Sequence, residues 1–318
     1  MVHSFITGGA GFIGSSLADR LLAEGRRVTV YDNFSTGQER FLENAIGHPH
    51  FHLVHGDTLE SDLLTRSMAD CQEVFHLAAN ADVRFGLDHP RKDLEQNTLA
   101  TFNVLEAMRK NGIKSVAFAS TGSVYGEPEV FPTPEDAPFP IQTSMYAASK
   151  LAGEALIQAY CEGYGFAGYI FRFVSILGER YSHGHVFDFS KQLGQDPSRL
   201  QILGDGAQRK SYLYIQDCLD AVLLAMEARP QGVNIFNLGT AEYCQVTQSV
   251  EWICQTLRVS PKLSFTGGQR GWVGDSPFIF LDCSRIRALG WKPKLNIEEA
   301  VKRTARYIKE NSWLLEAR

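Results

Sequence analysis

A glycine-rich turn near the N-terminus constrains the fold of this chain more than any other feature. The run Thr7-Gly8-Gly9-Ala10-Gly11-Phe12-Ile13-Gly14 follows a short apolar stretch and precedes a helical pattern. In this spacing Gly8 allows a tight turn, Gly11 lets backbone amides approach a pyrophosphate at the positive helix end, and Gly14 lets helix and strand pack closely. The pattern predicts a strand, a phosphate-binding turn and a helix, although a turn without a ligand can use the same glycines.

An aspartate at the end of the next predicted strand supports the ligand-binding interpretation. Asp32 closes the run Val28–Asp32, 18 residues after Gly14. A carboxylate at this place accepts hydrogen bonds from ribose hydroxyl groups and repels a 2′-phosphate, which favours NAD over NADP. The alternative is that Asp32 and Asn33 only cap a loop. We favour NAD because the turn and the acid occur together.

Short β-branched or aromatic runs alternate with helical patterns over the first 120 residues. The predicted strands are Ser4–Thr7, Val28–Asp32, Val74–Ala78 and Ser115–Ser120, and the predicted helices are Gly11–Glu24, Asp62–Met68 and Leu94–Lys110. This rhythm is typical of βαβ units and predicts an α/β fold with a doubly wound parallel sheet, the NAD-binding Rossmann type. In the last of these helices, the residues expected to share a face are Leu94, Leu99, Phe102, Leu105 and Met108.

The rest of the chain predicts a second, smaller lobe. Its first elements are a helix at Ser144–Tyr164 and a strand at Gly168–Ser175, and beyond Leu177 the regular rhythm breaks. The later predicted elements are short strands at Tyr212–Ile215 and Asn234–Asn237 and helices at Thr247–Leu257, Asp282–Leu289 and Ile297–Glu310. We therefore predict a Rossmann domain over residues 1–175, with additions near 211–240, and a mainly substrate-binding, discontinuous lobe over 176–318.

A tyrosine and a lysine form the chemically informative pair. Tyr146 and Lys150 lie four residues apart in a predicted helix and so share one face. A free tyrosine has a pKa of roughly 10, so a fixed cation, Lys150 or an oxidised nicotinamide, is needed for a phenolate near neutral pH. Such pairs also occur by chance on surface helices. The hydroxyl cluster Ser120–Ser123, at the end of a predicted strand, favours a catalytic site with Tyr146 as general base.

In this order, these features make the chain resemble the extended short-chain dehydrogenase/reductase family of nucleotide-sugar enzymes. Matching segments cover nearly the whole chain: Gly56–Asp57, His76–Ala79, Asn97, Ser123–Gly126, Gly204–Gly206, Gln208–Tyr214 and Gly271–Asp275. Within the family, the chain is most similar to UDP-glucose 4-epimerases of the compact prokaryotic type.

The resemblance implies a role for individual residues. NAD contacts are implied for Gly8, Gly11, Phe12, Ile13, Gly14, Asp32, Asn33, Asp57, Thr58, Leu77, Ala78, Ala79, Asn97, Ser120, Tyr146, Lys150 and Phe173. Catalytic roles are implied for Thr121, Tyr146 and Lys150. Substrate contacts are implied for Thr121, Ser123, Tyr146, Ser175, Val186, Lys210, Tyr212, Arg270 and Asp275, of which the cations suit a diphosphate.

The implied activity is an NAD-dependent nucleoside-diphosphate-sugar 4-epimerase, acting on UDP-glucose and UDP-galactose through transient hydride transfer and a 4-keto intermediate. The alternatives are a UDP-uronate or UDP-N-acetylhexosamine 4-epimerase, another reductase or dehydratase of the family, or a non-catalytic dinucleotide-binding sensor. Family dehydratases carry an Asp-Glu pair after the active-site threonine, where this chain has Gly122 and Ser123. Two departures from the family pattern affect the substrate contacts. Ser175 stands where 4-epimerases often carry Asn. Arg270 lies two positions before the place where the family usually has its diphosphate-binding arginine.

Composition limits the partners and the location. The net charge is -5 and Lys and Arg are dispersed, so we expect no nucleic acid and no membrane surface as partner. The six cysteines form no Cys-x-x-Cys pair, so we expect reduced thiols and no metal. The N-terminus lacks the features of a secretion signal, and we expect a cytoplasmic protein. The resemblance also implies a homodimer that pairs the two long helices.

Overall fold

A seven-stranded sheet organises the first of two units in the chain. The computed structural model describes residues 1–139, 141–228 and 230–316. Unit 1 contains Met1–Val124, Ser144–Arg172 and Val222–Phe236, and unit 2 contains Tyr125–Thr143, Phe173–Ala221 and Asn237–Arg318. Each unit is therefore assembled from three stretches of sequence. The predicted domain ranges, 1–175 and 176–318, stay a prediction.

Strands and helices alternate along most of the described chain. The strands are β1 His3–Thr7, β2 Arg27–Asp32, β3 Phe51–His55, β4 Glu73–His76, β5 Ser115–Thr121, β6 Ala167–Phe173, β7 Ser175–Leu177, β8 Arg199–Ile202, β9 Arg209–Lys210, β10 Tyr212–Tyr214, β11 Gly232–Leu238, β12 Cys244–Gln245, β13 Lys262–Phe265 and β14 Phe278–Ile279. The α-helices are α1 Phe12–Ala23, α2 Ser61–Ser67, α3 Phe85–Asp88, α4 Pro90–Asp93, α5 Ala100–Lys110, α6 Met145–Tyr164, α7 His185–Gln195, α8 Ile215–Glu227, α9 Val246–Leu257, α10 Ser284–Ala288 and α11 Ile297–Glu310.

The large sheet has the strand order β11-β6-β5-β4-β1-β2-β3, and the pairings among β1 to β5 are parallel. Such a sheet is covered by helices on both faces, so its strands are apolar along their length. The core that results includes Phe5, Tyr31, Val74, Phe118 and Ile170 from strands, with Leu64, Val104 and Met108 from helices. Each large side chain buried in this way stabilises the fold by about 1.5–3 kcal/mol.

The strand order places the functional loops. Because β1 lies between β4 and β2, the loops that follow β1 and β4 flank the point where the strand order reverses. In doubly wound sheets, ligands bind in the crevice at this switch point, at the carboxyl ends of the strands. Thr7, the last residue of β1, is level with Tyr31 of β2 and His76 of β4. The glycine turn therefore begins at this edge.

Most of the predicted elements are present, but the helix predicted over Leu94–Lys110 differs from the expectation. Leu94–Leu99 forms a π-helical segment, and the α-helix α5 begins after it. The wider turns change the angular spacing of side chains before Ala100. Leu105 and Met108 are buried, whereas Leu94, Leu99 and Phe102 are exposed, so the prediction of one shared face is wrong.

Unit 2 contains two short two-stranded sheets, a three-stranded sheet and a group of helices. β7 pairs with β10 and β8 with β13, both in parallel, and β9 lies between β12 and β14. Helices α7, α9 and α11 contact one another. The sequence did not predict α7, nor α8. No described helix combines the length and apolar composition that a membrane span requires.

Candidate active site

The glycine turn after β1 leaves no room for side chains at two positions. Gly8 has φ +69°, and a Cβ atom there would lie 2.7 Å from the backbone nitrogen of Ala78. A Cβ atom on Gly14 would lie 2.3 Å from the carbonyl oxygen of Gly8. Both contacts are shorter than real Cβ atoms tolerate, so the turn depends on glycine at these positions.

The N-terminus of α1 lies beside this turn. Gly11 is the N-cap residue, and this end has neither a capping side chain nor an acid in its first turn. Phe12, Ile13 and Gly14 are the first three helical residues. The N–H groups of a first helical turn and the helix dipole make such an end a binding site for anions. A tight glycine turn followed by a helix without a side-chain cap fits the pyrophosphate of a dinucleotide.

Asp32, at the end of β2, is held by backbone groups. Its Oδ2 accepts the N–H of Ala10 and its Oδ1 accepts the N–H of Phe34, each at 2.8 Å. Burial raises the pKa of Asp32, and the two backbone hydrogen bonds lower it. Next to it, Asn33 Nδ2 donates to Asp57 Oδ2 at 2.8 Å. The predicted cofactor residues Asp32, Asn33 and Asp57 thus form one cluster whose side chains are oriented by hydrogen bonds.

The loop after β4 faces the glycine turn. The N–H of Leu77 donates to the Thr7 carbonyl at 3.2 Å, and the N–H of Ala78 to the Thr7 hydroxyl at 3.3 Å. Leu77, Ala78 and Ala79 are all partly exposed. Two further predicted contacts, Thr58 and Phe173, are buried.

Tyr146 lies in the first turn of α6, opposite the end of β5. The hydroxyl of Ser144 caps this helix by accepting the N–H of Ala147 at 3.1 Å. Tyr146 is partly exposed, and its phenol is hydrogen-bonded to the side chain of Thr121. Thr121 Oγ1 also accepts the N–H of Ser123 at 3.1 Å. The structure therefore brings together Thr121, Ser123 and Tyr146, as the catalytic prediction requires.

The surroundings of Tyr146 keep its phenol protonated in the protein alone. Burial, with a contribution from the charge of Asp93, raises the pKa of Tyr146 to about 12 against the opposing effect of the Thr121 hydrogen bond. Lys150 is one helical turn away. A neighbouring lysine is therefore not enough by itself to make Tyr146 a phenolate near neutral pH.

The ammonium of Lys150 is almost completely buried, with 2% of the residue exposed. Nζ donates to the carbonyl oxygen of Ala119 at 2.9 Å and lies 4.9 Å from the centre of the Phe118 ring. Burial lowers the pKa of Lys150 to about 8, although the charges of Asp93 and Glu154 raise it. The side chain is thus fixed in place and remains mainly charged at neutral pH.

Asn97 connects the loop after β4 to the catalytic helix. Its Oδ1 accepts the N–H of Asn80 and its Nδ2 donates to the Ser149 hydroxyl, each at 2.8 Å. Ser149 in turn donates to the carbonyl oxygen of Tyr146 at 2.8 Å. In this structure Asn97 holds α6 in register with the sheet.

Sequence reasoning missed two buried charges near Lys150. Arg172 and Glu154 form an ion pair at 2.7 Å in which both side chains are at most 1% exposed, and the hydroxyl of Ser120 donates to Glu154. The available signal was spacing, because Glu154 follows Lys150 by one further helical turn. The predicted cofactor residue Ser120 thus faces Glu154.

In unit 2, several predicted substrate residues form a second cluster. Lys210 Nζ lies 2.7 Å from Asp275 Oδ1, and Asp275 Oδ2 accepts the N–H of Gly271 at 3.0 Å. Tyr212, two residues after Lys210, is buried and stacks on the ring of His185, with the ring centres 4.7 Å apart. Ser175 is level with Tyr212 in the pairing of β7 with β10. Val186 follows His185 and is fully buried.

Two arginines of unit 2 lie nearer the surface. Arg270 forms an ion pair with Glu127, and both side chains are nearly half exposed. Arg209, which the sequence analysis did not single out, places its guanidinium carbon 3.8 Å from the centre of the Phe278 ring. Among the described residues, no group of three or more His, Cys, Asp or Glu side chains has an arrangement able to hold a metal ion.

Comparison with known proteins agrees with this geometry. The sequence model of the NAD-dependent epimerase/dehydratase family matches residues 4–239. The UDP-glucose 4-epimerase of Mycolicibacterium smegmatis is 32% identical, over 98% of this chain and 100% of its own. A crystal structure of a UDP-galactose 4-epimerase is 34% identical, with a TM-score of 0.88 over 98% of this chain and 100% of that one. The UDP-glucose 4-epimerase of Thermotoga maritima, solved with UDP-glucose, is 30% identical, with the same TM-score and coverage.

These findings confirm the predicted α/β Rossmann fold, the resemblance to the extended short-chain dehydrogenase/reductase family, NAD as cofactor and the expectation of an enzyme. The family model spans well over half of the sequence. The chain therefore belongs to the NAD-dependent epimerase/dehydratase family.

Proposed function

We propose that this enzyme is a UDP-hexose 4-epimerase that interconverts UDP-glucose and UDP-galactose. The observation that carries the proposal is the hydrogen bond between Thr121 and Tyr146, one helical turn from the buried ammonium of Lys150. This constellation lies in the same unit as the glycine turn. The relatives named as UDP-glucose and UDP-galactose 4-epimerases support the choice of reaction and substrate.

Unit 1 supplies the residues that would hold NAD. The glycine turn and the N-terminus of α1 would hold the pyrophosphate, Asp32 and Asn33 would bind the ribose, and Asp57 and the Leu77–Ala79 loop would complete the groove. When bound there, NAD would supply reversible hydride transfer at C4 of the sugar.

Tyr146 moves the proton of the reaction. Its phenolate accepts the proton of the 4-hydroxyl group as the 4-keto sugar forms, and its phenol returns that proton when the inverted alcohol forms. Thr121 holds the phenol oxygen and orients the sugar hydroxyl, and Lys150 supplies a fixed positive charge that favours the phenolate. Because one group gives back the proton that it takes, the reaction needs no net acid or base.

Unit 2 supplies the residues that would bind the nucleotide sugar. We assign the diphosphate to Lys210 and Arg270, because a dianion needs cations and hydrogen-bond donors. Asp275 orients Lys210 at 2.7 Å, and Ser175, Val186 and Tyr212 belong to the same cluster. The sugar turns over between the two halves of the reaction while its diphosphate stays bound.

The residues after Thr121 favour epimerisation over water loss. Gly122 and Ser123 begin a short 3-10 turn there and carry no carboxyl group. Elimination of water from the sugar needs an acid to protonate the leaving hydroxyl. With the Thr121, Tyr146 and Lys150 constellation intact, a sensor without catalytic activity is also the weaker interpretation.

Homodimerisation is a second part of the proposal. One face of α6 exposes Met145, Ala148, Ala155 and Ala159, and the neighbouring α5 exposes Phe102. Small side chains at this spacing let helices approach closely, which suits pairing with a second copy about a two-fold axis. Light scattering at micromolar concentration should give the mass of a dimer, and a monomer only would contradict this part of the proposal.

A cytoplasmic location also belongs to the proposal. All six cysteines are free, and only Cys254 among them is more than slightly exposed. Unpaired buried thiols and a nucleotide cofactor are typical of reducing compartments.

The direct test gives purified protein UDP-galactose without added cofactor and identifies the product by NMR. UDP-glucose should accumulate to an equilibrium mixture. Tyr146→Phe should lower kcat by about 10²–10⁴-fold, the usual contribution of a general base. Tyr164→Phe, at the exposed end of the same helix, is the matched control and should keep its activity. No UDP-glucose from the wild type, or full turnover by Tyr146→Phe, would overturn the proposal.

A further inference from the structure

A carboxylate that the mechanism does not use is buried near the catalytic pair. Asp93, the last residue of α4, is 0% exposed. Its Oδ1 accepts hydrogen bonds from Asn80 Nδ2 at 2.8 Å and from Asn97 Nδ2 at 3.3 Å. Within the part of the chain that the structure describes, its Oδ2 has no hydrogen-bond partner.

The backbone of Gly86 packs against Oδ2 of Asp93. A Cβ atom on Gly86 would lie 2.0 Å from this oxygen, so the backbone of residue 86 lies directly against it. A buried carboxylate with an unsatisfied oxygen is unfavourable unless a positive charge compensates for it. A positive charge near Asp93 is therefore needed to explain how this carboxylate can be buried.

Two positive and two negative charges are buried here. Glu154 is matched by Arg172, which donates from Nε at 3.0 Å and from Nη2 at 2.7 Å. This pairing leaves Lys150 as the buried cation for Asp93. Hydrogen bonds connect Asp93 to the helix of Lys150. Asn97 Nδ2 donates both to Asp93 and to the hydroxyl of Ser149, the residue before Lys150.

We propose that Asp93 is the counter-charge of Lys150, a positioning residue that keeps the buried ammonium charged and thereby sets the alkaline limit of catalysis. The part that concerns catalysis rests on the function proposed above. Asp93 touches neither the sugar nor its reacting atoms in this scheme. It acts through Lys150.

The pKa values agree in direction with this geometry. Burial lowers the pKa of Lys150 to about 8, and the charges of Asp93 and Glu154 oppose that effect. Lys150 in turn lowers the pKa of Asp93, which burial raises. The other groups that act on this pair are Tyr146 on α6, His76 on β4, Asp82 in the loop after β4, and Arg172 through Glu154. His76 has a pKa lowered to about 3 and stays neutral.

The first test measures the free energy of unfolding against pH for the wild type and Asp93→Asn. In the folded wild type Lys150 loses its proton near pH 8, against 10.5 for its ordinary value, so its burial destabilises the fold most below pH 8. Without Asp93 this pKa falls further and the penalty below pH 8 grows. The stability of the wild type minus that of Asp93→Asn should therefore decrease as pH rises towards 8 and stay constant above it.

A purely structural role gives a different result. If Asp93 served only as an acceptor for Asn80 and Asn97, the stability difference would not change between about pH 6 and 8, and the proposal would be wrong. Asp88→Asn, an exposed acid at the end of α3, is the matched control and should show no pH-dependent difference.

A second variant keeps the test decisive if Asp93→Asn does not fold. In Lys150→Met the carboxylate loses its counter-charge, so the folded-state pKa of Asp93 rises further. A raised acid pKa makes stability fall with rising pH up to that pKa. This fall should extend to higher pH in Lys150→Met than in the wild type, and superimposable profiles would overturn the proposal.

The catalytic part is tested by the pH dependence of kcat. For Asp93→Asn the alkaline limb should shift to lower pH by about one unit or more, the usual effect of an adjacent opposite charge. An unshifted limb with lower kcat would contradict a role through Lys150. Because the stability profiles need no substrate, they test the Asp93–Lys150 charge pair even if the enzyme does not turn over a UDP-hexose.

Discussion

The two units hold their charged groups in opposite ways. In unit 1, the side chains of Lys150, Asp93, Glu154 and Arg172 are at most about 2% exposed, and Glu154 and Arg172 bond at two points. In unit 2, the assigned substrate cations are themselves more exposed: Lys210 is 17% exposed beside a buried Asp275, and Arg270 and Glu127 are nearly half exposed. Buried ions keep one geometry, whereas exposed pairs exchange partners readily.

This contrast corresponds to two tasks. The charges around Tyr146 have to stay in position while a proton moves, and preorganised charges achieve this without rearrangement. If Lys210 and Arg270 bind the diphosphate as proposed, they have to release an acid and accept a phosphate in each turnover. We therefore expect changes in unit 1 to affect stability and kcat, and changes in unit 2 to affect mainly KM.

The largest effect is expected from breaking the buried ion pair. Glu154→Gln leaves Arg172 buried without its counter-charge and should lower the free energy of unfolding by about 3–5 kcal/mol. The control is Glu298→Gln, whose pair with Lys302 is partly exposed at an i,i+4 spacing and contributes about 0.3–0.5 kcal/mol. Urea unfolding of both variants checks this, and similar small losses would remove the contrast between the units.

The glycine turn should also tolerate little change. Gly14→Ala places a Cβ atom 2.3 Å from the Gly8 carbonyl and should cost about 1–3 kcal/mol of stability, with loss of bound NAD. Gly163→Ala, in α6, meets no atom within 4 Å and should gain up to about 1 kcal/mol. Melting temperature and NAD content of the purified proteins are the measurements. A Gly14→Ala protein that retains NAD would show that the turn is not rigid.

A smaller effect is expected from Lys210→Met in unit 2. Loss of a hydrogen bond to a charged group costs about 1.5–3 kcal/mol, so KM for the nucleotide sugar should rise about ten- to hundredfold. Because Asp275 is buried and loses its cation, the Tm should also fall, by less than in Glu154→Gln, since Lys210 is partly exposed. Lys262→Met, on the exposed strand β13, is the control and should leave KM unchanged. A fall in kcat at constant KM would assign Lys210 to catalysis instead.

The smallest effects should come from Arg270 and Glu127. Arg270→Gln should change stability by less than about 1 kcal/mol, because its ion pair is exposed, and should raise KM less than Lys210→Met does. Glu127→Gln should lower KM, since it frees Arg270 for the diphosphate. Steady-state kinetics at low and high salt would test both. A rise of KM in Glu127→Gln would mean that Arg270 does not bind the substrate.

Local patterns predicted much of unit 1. The glycine turn, the position of Asp32 and the Tyr146–Lys150 spacing all depend on neighbours within a few residues, and each lies in the predicted type of element. The buried partners did not follow from local pattern. Glu154 and Arg172 are 18 residues apart, and only the packing of α6 on the sheet brings them together.

Unit 2 was less predictable. The segment after Leu177 carries glycine and histidine residues that obscured α7, although Val186, Phe189 and Leu193 have helical spacing and are buried there. In unit 1, the exposed face of α5 was misassigned, because periodicity does not reveal a π-helical segment such as Leu94–Leu99.

The burial of the cysteines has a practical consequence for handling this enzyme. Burial raises the pKa of Cys71, Cys244 and Cys283 to about 12, and that of Cys218 also rises. The thiolate is the species that reacts with peroxide and alkylating agents, so very little of it is present near neutral pH. These four cysteines should therefore survive aerobic storage without a reductant, and their labelling by maleimide should report unfolding once the partly exposed Cys254 is replaced.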